Sequence, residues 1–479
     1  MTAGRTWLSR GFIIAGSLLL GLLVLAIIAL VALGIPRNAA GMAAKGICSA
    51  AFVAGRPPHN LLADEVLPAS PALVPISVSV DQAGHSVTAR FAGLFARQAR
   101  LLPGRGCVLD VDATRPSAAL ATPRTAAQRA LAWPQGEAAL AQSDWGAGVD
   151  AQALQQLAQD AFTGAGDPQA ANARGIAIVH KGRLLVLRTA PGFDAGTALH
   201  GWSMTKTVLG MLTYKLAAET GLGLDTAVVD SFPKQREPDW VASWRRDERK
   251  SIRLSDLLYM RDGLASTEDY DPWGSVPRML WGHADAAAFA AAATTEAAPG
   301  QRWRYLSQTA NLMAAVDRAR FATDAEYWAY PAKALFGPIG AHTAVLETDT
   351  AGNWVGSSYL WASVGDWARL GQLMLSDGRW DGQQVLPAGW LKVAATRSTA
   401  AGEGRGYGAH SWRIGDPDEG ECKAYGLPVD TLAMSGHWGK VVAMVPSRDA
   451  VIVRLGWTFR RKQFDSCAFV AAALKALPH

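Results

Sequence analysis

Ser203-Met204-Thr205-Lys206 opens a run that continues Thr207-Val208-Leu209-Gly210-Met211-Leu212-Thr213. It reads as a helix reaching Gly221, with Val208, Leu209, Leu212 and Leu216 on one stripe. Residues three apart share a helical face, so a serine and a lysine at this spacing meet. A serine in the first turn sits among unpaired backbone N–H groups, which favour developing negative charge. A lysine one turn later takes the hydroxyl proton once burial or nearby positive charge lowers its pKa. One such tetrad is weak, since about one is expected by chance in a chain of this composition. A second, Ser231-Phe232-Pro233-Lys234, has a proline between its ends, which disfavours a shared helical face and reads as a surface loop.

Outward from the tetrad the pattern is strand-rich at both ends. Ile176 to Val179 and Leu184 to Leu187 flank His180-Lys181-Gly182-Arg183 as a hairpin, and Val441 to Val445 with Ala450 to Leu455 form another around Pro446-Ser447-Arg448-Asp449. Helices and loops fill the middle. Asp285 to Ala298 reads as a helix capped by Asp285 and stopped at Pro299-Gly300, and 462–477 reads as a closing helix. This order predicts an α+β domain whose sheet is assembled from both ends around a helical insertion.

Two further segments carry polar groups suited to acyl transfer. Trp303-Arg304-Tyr305-Leu306-Ser307 precedes a helix over Thr309 to Ala319 and offers a phenol, or else a packed tyrosine with a satisfied hydroxyl. Ser435-Gly436-His437-Trp438-Gly439-Lys440 is read as the start of the last hairpin, where glycines let a substrate carbonyl approach. Glu268, Asp269 and Tyr270 read as a solvated loop, with a lining of the cleft as the competing reading, and most of the 18 tryptophans as buried packing.

The order SxxK at 203–206, Tyr305-x-Ser307, then His437-Trp438-Gly439 resembles the serine hydrolases of the class C β-lactamase and penicillin-binding-protein-like superfamily. The likeness is strongest to the branch of 6-aminohexanoate-dimer hydrolases and related esterases. Leu254 to Leu264 and Gly365 to Gly371 support it, and it covers roughly 170–475. The resemblance implies an antiparallel sheet flanked by helices, with a mostly helical lobe and the site between them. It implies Ser203 as acylated nucleophile, Lys206 as its base partner and Tyr305 as proton shuttle. The N–H groups of Ser203 and Lys440 would form the oxyanion hole, and Ser307, His437, Trp438 and Gly439 would meet substrate. No cofactor is implied. β-Lactamases usually have Asn where Ser307 stands and Lys where His437 stands. The expectation is therefore hydrolysis of a small amide, ester or peptide, with a DD-carboxypeptidase or β-lactamase, and a binding protein that lost catalysis, as the alternatives.

At the N-terminus, Gly11 to Ile35 carries no charge and is long enough to span a bilayer. It exceeds the apolar core of a cleaved signal peptide, the competing reading. Arg5 and Arg10 precede it and orient the start to the cytoplasm. The expected organisation is a cytoplasmic segment 1–10, a single transmembrane anchor 11–35, a periplasmic region and linker 36–150, and a hydrolase domain 151–479 at the inner membrane. Cys48, Cys107, Cys422 and Cys467 allow three pairings. Cys48 with Cys107 and Cys422 with Cys467 is favoured, because each would staple a segment to its own end of the chain, and no spacing suits a metal.

Over 479 residues the apolar fraction is 49% and the charged fraction 18%, which excludes disorder over most of the chain. The balance of 46 basic to 41 acidic residues is mild, and the longest basic run is Arg460-Arg461-Lys462, so no nucleic-acid footprint is expected.

Overall fold

The computed structural model of the protein describes residues 3–111, 124–164, 167, 170–400 and 406–478. Helix α1 (Ala3–Ala32) is followed after two residues by α2 (Ile35–Cys48). Gly34, in the left-handed region at φ 72°, ends the first helix, and Pro36 starts the second. The uninterrupted span expected over 11–35 is thus corrected: it stops at Ala32, and Ile35 is already buried in the folded domain. Among the described residues no single helix is long and apolar enough to cross a membrane. Ser17–Ala32 and Ile35–Val53, bent by 52°, pass together by length and composition.

Helix α2 packs on an antiparallel meander of β1 (Ile76–Asp81), β2 (Ser86–Phe91), β3 (Phe95–Leu102) and β4 (Gly106–Leu109). The first two strands pair from Ile76↔Phe91 to Asp81↔Ser86, around a turn that contains Gly84. The Cys48–Cys107 disulfide ties α2 to β4. Lys45 on α2 reaches across to Glu347, far along the chain, at 3.4 Å, with both side chains buried. Glu347 also accepts from Ser49 Oγ at 2.8 Å and from the Cys107 N–H at 2.7 Å.

The larger sheet joins the two ends of the chain, as expected. It contains β5 (Ala173–His180), β6 (Arg183–Thr189), β7 (Leu432–Gly436), β8 (Lys440–Val445) and β9 (Ala450–Gly456), in the order β7-β8-β9-β5-β6. Both faces are buried, which is why these strands read as continuous apolar runs. Ala177, Val179, Val442 and Val453 face one core, which is shared with α3 (Met204–Thr220), α4 (Ser307–Arg318) and α5 (Val364–Leu375). Ile176, Ile178, Ala443 and Ile452 face another, covered by the helices Ala151–Asp160 and Ser466–Lys475. Cys422–Cys467 staples the latter helix.

Several local expectations change in three dimensions. The α3 helix is buried all round over Met204–Thr213 rather than along one stripe, because sheet and helical lobe enclose it. The helix after Asp285 is capped as expected but ends at Ala291. Beyond it the chain is drawn away to pair with the loop 263–265, Ala265 N–H bonding Thr294 O at 2.7 Å. The closing helix starts only at Ser466, where Asp465 caps it. Within the region and linker expected over 36–150, residues 112–123 lie outside the described residues. Beyond them the chain is pinned by Arg369, which donates to Pro134 O and Gly136 O at 2.9 and 2.5 Å.

Candidate active site

Ser203 is the N-cap residue of α3, and the turn before it is closed by Met204, Thr205 and Lys206 N–H groups bonding Gly201, Trp202 and Ser203 carbonyls. One helical turn on, the buried Lys206 ammonium lies 3.1 Å from Ser203 Oγ, 3.0 Å from Ser307 Oγ and 3.1 Å from Ser357 O. Among the described residues, none of its hydrogen-bond partners is a carboxylate. Burial therefore dominates and brings its pKa down to about 8, against a smaller upward pull from Glu268. The pair predicted from a three-residue spacing is thus in contact, with the amine poised to exchange a proton near neutral pH.

Tyr305 comes to the same point from the start of α4. Its ring lies 4.7 Å from the Lys206 ammonium, and its phenol adjoins the Ser203 side chain. Trp412 and Tyr407 pack around the ring at 5.1 and 5.7 Å. Burial, then the Glu268 charge, pushes the phenol above its usual range, so it stays protonated.

Ser307, expected to meet substrate, is fully buried. Its hydroxyl sits between Lys206 and Glu268, 2.7 Å from Glu268 Oε1, and its N–H donates to Glu268 Oε2 at 2.6 Å. It links lysine to carboxylate instead of facing the cleft.

For Glu268 and Tyr270 the competing reading, a lining of the cleft, is the one the structure takes. Glu268 is the carboxylate of this network, and Tyr270 places a second phenol against Ser203 and Ser307. Burial, then Glu268 and Tyr305, raises the Tyr270 pKa well above the ordinary phenol value. The signal for them was the segment Arg261-Asp262-Gly263-Leu264 just upstream. Buried Asp262 accepts from the Leu264 N–H at 2.9 Å and from Thr309 Oγ1 at 2.5 Å, anchoring the loop on α4. Loop residues show no periodicity, so spacing alone does not reveal which of them turn inward.

The His437-Trp438-Gly439 segment is the turn that joins β7 to β8 and leads into the last hairpin at Lys440. His437 stacks on Tyr270 with centroids 4.7 Å apart and 8° between planes. Trp438, at φ 64°, packs edge-on against Trp202 at 5.2 Å. An aromatic slot beside Ser203 is lined by Trp202, Trp438, Trp457 and Tyr359 from the catalytic domain, and by Met42 and Gly46 from α2. Gly439 faces Arg454, whose Nη1 takes its carbonyl at 2.5 Å, so it shapes the turn.

The Lys440 position also differs from expectation. Lys440 opens β8, one strand in from the sheet edge, and its ammonium donates to His437 O at 3.0 Å. The edge strand β7 is the one that meets the nucleophile turn. It pairs Gly436 with Lys440, and a Cβ on Gly436 would lie 2.3 Å from Gly201 O, an approach only glycine permits. The backbone nearest Ser203 on the sheet side is therefore that of Gly436 and its successor.

Ser231, in the second tetrad, bonds Ala227 O at 3.0 Å, while Lys234 begins a separate turn and is exposed. No group of three or more His, Cys, Asp or Glu suited to a metal occurs among the described residues.

Known proteins share this fold. Among solved structures the chain is similar to a candidate 6-aminohexanoate-dimer hydrolase of Bacillus anthracis, at 18% identity and TM-score 0.50, covering 68% of this chain and 83% of that one. It is similar to a candidate β-lactamase of Bacteroides dorei at 15% and 0.52, covering 68% and 98%. It is also similar to EstCE1, a hydrolase with promiscuous acyltransferase activity, at 14% and 0.53, covering 68% and 97%. At such identities these matches speak to the fold. No curated protein matches the chain. The β-lactamase family model matches residues 151–474, about two thirds of the sequence, and with it the chain belongs to the β-lactamase family and is a serine hydrolase.

Proposed function

We propose that the protein is a membrane-anchored, periplasm-facing hydrolase that cleaves an amide or ester through an acyl-enzyme on Ser203. The observation that carries this is the buried Lys206 amine, 3.1 Å from Ser203 Oγ and with its pKa brought to about 8. In the cycle, neutral Lys206 takes the Ser203 proton as Oγ attacks the substrate carbonyl carbon. The oxyanion is held by the Ser203 N–H and a second N–H drawn from the Gly436–His437 backbone rather than from Lys440. Tyr305, which stays protonated, passes a proton from the ammonium to the leaving alcohol or amine as the bond to the carbonyl breaks. Water then attacks the acyl carbonyl, gives up a proton through the same groups, and releases the acid with Ser203 restored.

Two features favour an amide or ester over a β-lactam. Ser307 is turned to Lys206 and Glu268, and His437 is stacked on Tyr270, so the groups that usually hold a β-lactam's amide and carboxylate are absent from those places. The complete Ser203, Lys206 and Tyr305 set argues against a binding protein without catalysis.

The anchor reading rests on α1. Among its described side chains, Leu18, Leu19, Leu22 and Leu25 stand 65%, 71%, 67% and 63% exposed. A fluorophosphonate should label the purified protein and fail to label Ser203→Ala; labelling retained in the variant would remove the assignment. Nitrocefin turnover or fluorescent-penicillin labelling would instead favour the lactamase or carboxypeptidase reading.

A further inference from the structure

The loop that supplies Glu268 and Tyr270 to the site continues directly to the mouth of the anchor. Pro272 O lies 3.4 Å from the side-chain amide of Asn38, in the first turn of α2. The next residue, Trp273, is 53% exposed, although most other tryptophans here are buried. Asn38 is six residues beyond Ala32, the end of α1, so at a rise of about 1.5 Å per residue it stands no more than about 9 Å above the apolar helix. That is roughly the depth of a headgroup layer. Two exposed cations flank the spot, Arg37 on α2 and Arg278 just after the loop, and both act on His283. Asp271 is the exposed acidic residue of the loop.

An exposed tryptophan with arginines at the end of an apolar helix is the composition of a membrane interface. The loop between Tyr270 and Trp273 is also short and tied. Gly274 N–H bonds Asp271 O at 2.7 Å and Val276 N–H bonds Asp269 O at 3.3 Å, so what fixes Trp273 also bears on Tyr270.

From this placement the geometry points to the loop 268–274 resting on the outer face of the bilayer that α1 enters, with Trp273, Arg37 and Arg278 in its anionic headgroup layer. The substrate is then an amphiphilic ester or amide that reaches Ser203 from that surface. This rests on the anchor and hydrolase readings proposed above and adds the substrate class. The aromatic slot that includes Trp202, the neighbour of Ser203, is walled on one side by Met42 and Gly46 of α2.

The test uses the full chain in vesicles of phosphatidylcholine and phosphatidylglycerol. All four cysteines are in disulfides, so Trp273→Cys provides a single site for an environment-sensitive fluorophore. Val429→Cys is the control: Val429 is 66% exposed and sits beside Asp430, which is bonded to Ser447 at the end of the sheet away from Ser203. With a nitroxide on the lipid headgroup, the label at 273 should lose most of its emission and the label at 429 should keep it. In the Arg37→Glu, Arg278→Glu double variant, turnover of a long-chain acyl ester in the vesicles should fall about tenfold. Turnover of a soluble short-chain ester should be unchanged, which also shows that the variant is folded. If the protein stays in the membrane after alkaline carbonate but the 273 label is unquenched, the surface contact is refuted and the anchor stands. If carbonate releases the protein, the anchor itself falls. Equal loss on both esters would refute the substrate class.

Discussion

Two buried lysines show how differently one fold uses the same side chain. Lys45, at the joint between the N-terminal region and the catalytic domain, is 3.4 Å from the Glu347 carboxylate and donates to Cys107 O at 2.5 Å. Lys206, in the cleft, is surrounded by neutral oxygens, and its nearest carboxylate influence, Glu268, acts through Ser307. Burial lowers the pKa of both, and in both a carboxylate pulls back. At the joint the carboxylate touches the ammonium and forms a clasp. In the cleft it is held one hydroxyl away, so the proton remains transferable. Charge in direct contact holds two regions together; charge at one remove tunes a base.

The largest effects should come from the cleft. Ser203→Ala should lower turnover at least about ten-thousand-fold with little change in stability, read from steady-state kinetics beside a denaturant melt. Tyr305→Phe should lower kcat about a hundredfold or more as proton delivery to the leaving group is lost. Tyr270→Phe should cost less if Tyr305 is the shuttle, and the reverse ranking would exchange their roles.

At the joint the order is inverted. Glu347→Ala should cost about 3–5 kcal/mol in denaturant unfolding, because it leaves the Lys45 ammonium buried and unpaired. In protein that remains folded, turnover should change little. A large kinetic loss at full stability would show that the joint is part of the catalytic machinery.

The contrast sharpens with pH. The Lys206 amine, lowered to about 8, becomes a base as pH rises through that value, so kcat/KM should climb and level off above it. Its folded pKa lies below the ordinary lysine value of 10.5. Unfolded chains thus bind more protons between about 8 and 10.5, and this group's contribution to stability rises with pH across that window. Glu268 holds the Lys206 pKa up, so Glu268→Gln should move the rising limb to lower pH; a shift upward would contradict the arrangement. The smallest effect belongs to the second tetrad. Ser231→Ala should leave activity unchanged and cost about 1 kcal/mol for one lost hydrogen bond.

What could be read early and late follows the range of the interactions. The Ser203–Lys206 contact was legible because a helix turns three residues into a shared face. The sheet joining 173–189 to 432–456 was legible because strands buried on both faces read as apolar runs. The helix after Asp285 was read too long because its later residues are claimed by the loop 263–265, a competitor that no local pattern announces. The Lys440 and Ser307 assignments moved for a similar reason. Residue order marks a motif, but strand register and burial decide which atom faces the cleft.

By itself the sequence determined the Ser203–Lys206 tetrad, the two-ended sheet and an apolar N-terminal helix, all of which follow from spacing, periodicity and composition, while it left three cysteine pairings open. Tertiary structure alone decided that Glu268 and Tyr270 turn inward, that Ser307 bridges lysine and carboxylate, and that the apolar N-terminal helix breaks at Gly34 so that α2 is buried in the fold. Each of those depends on groups tens to hundreds of residues apart, and their meeting is set by packing of the whole chain, which local pattern does not encode.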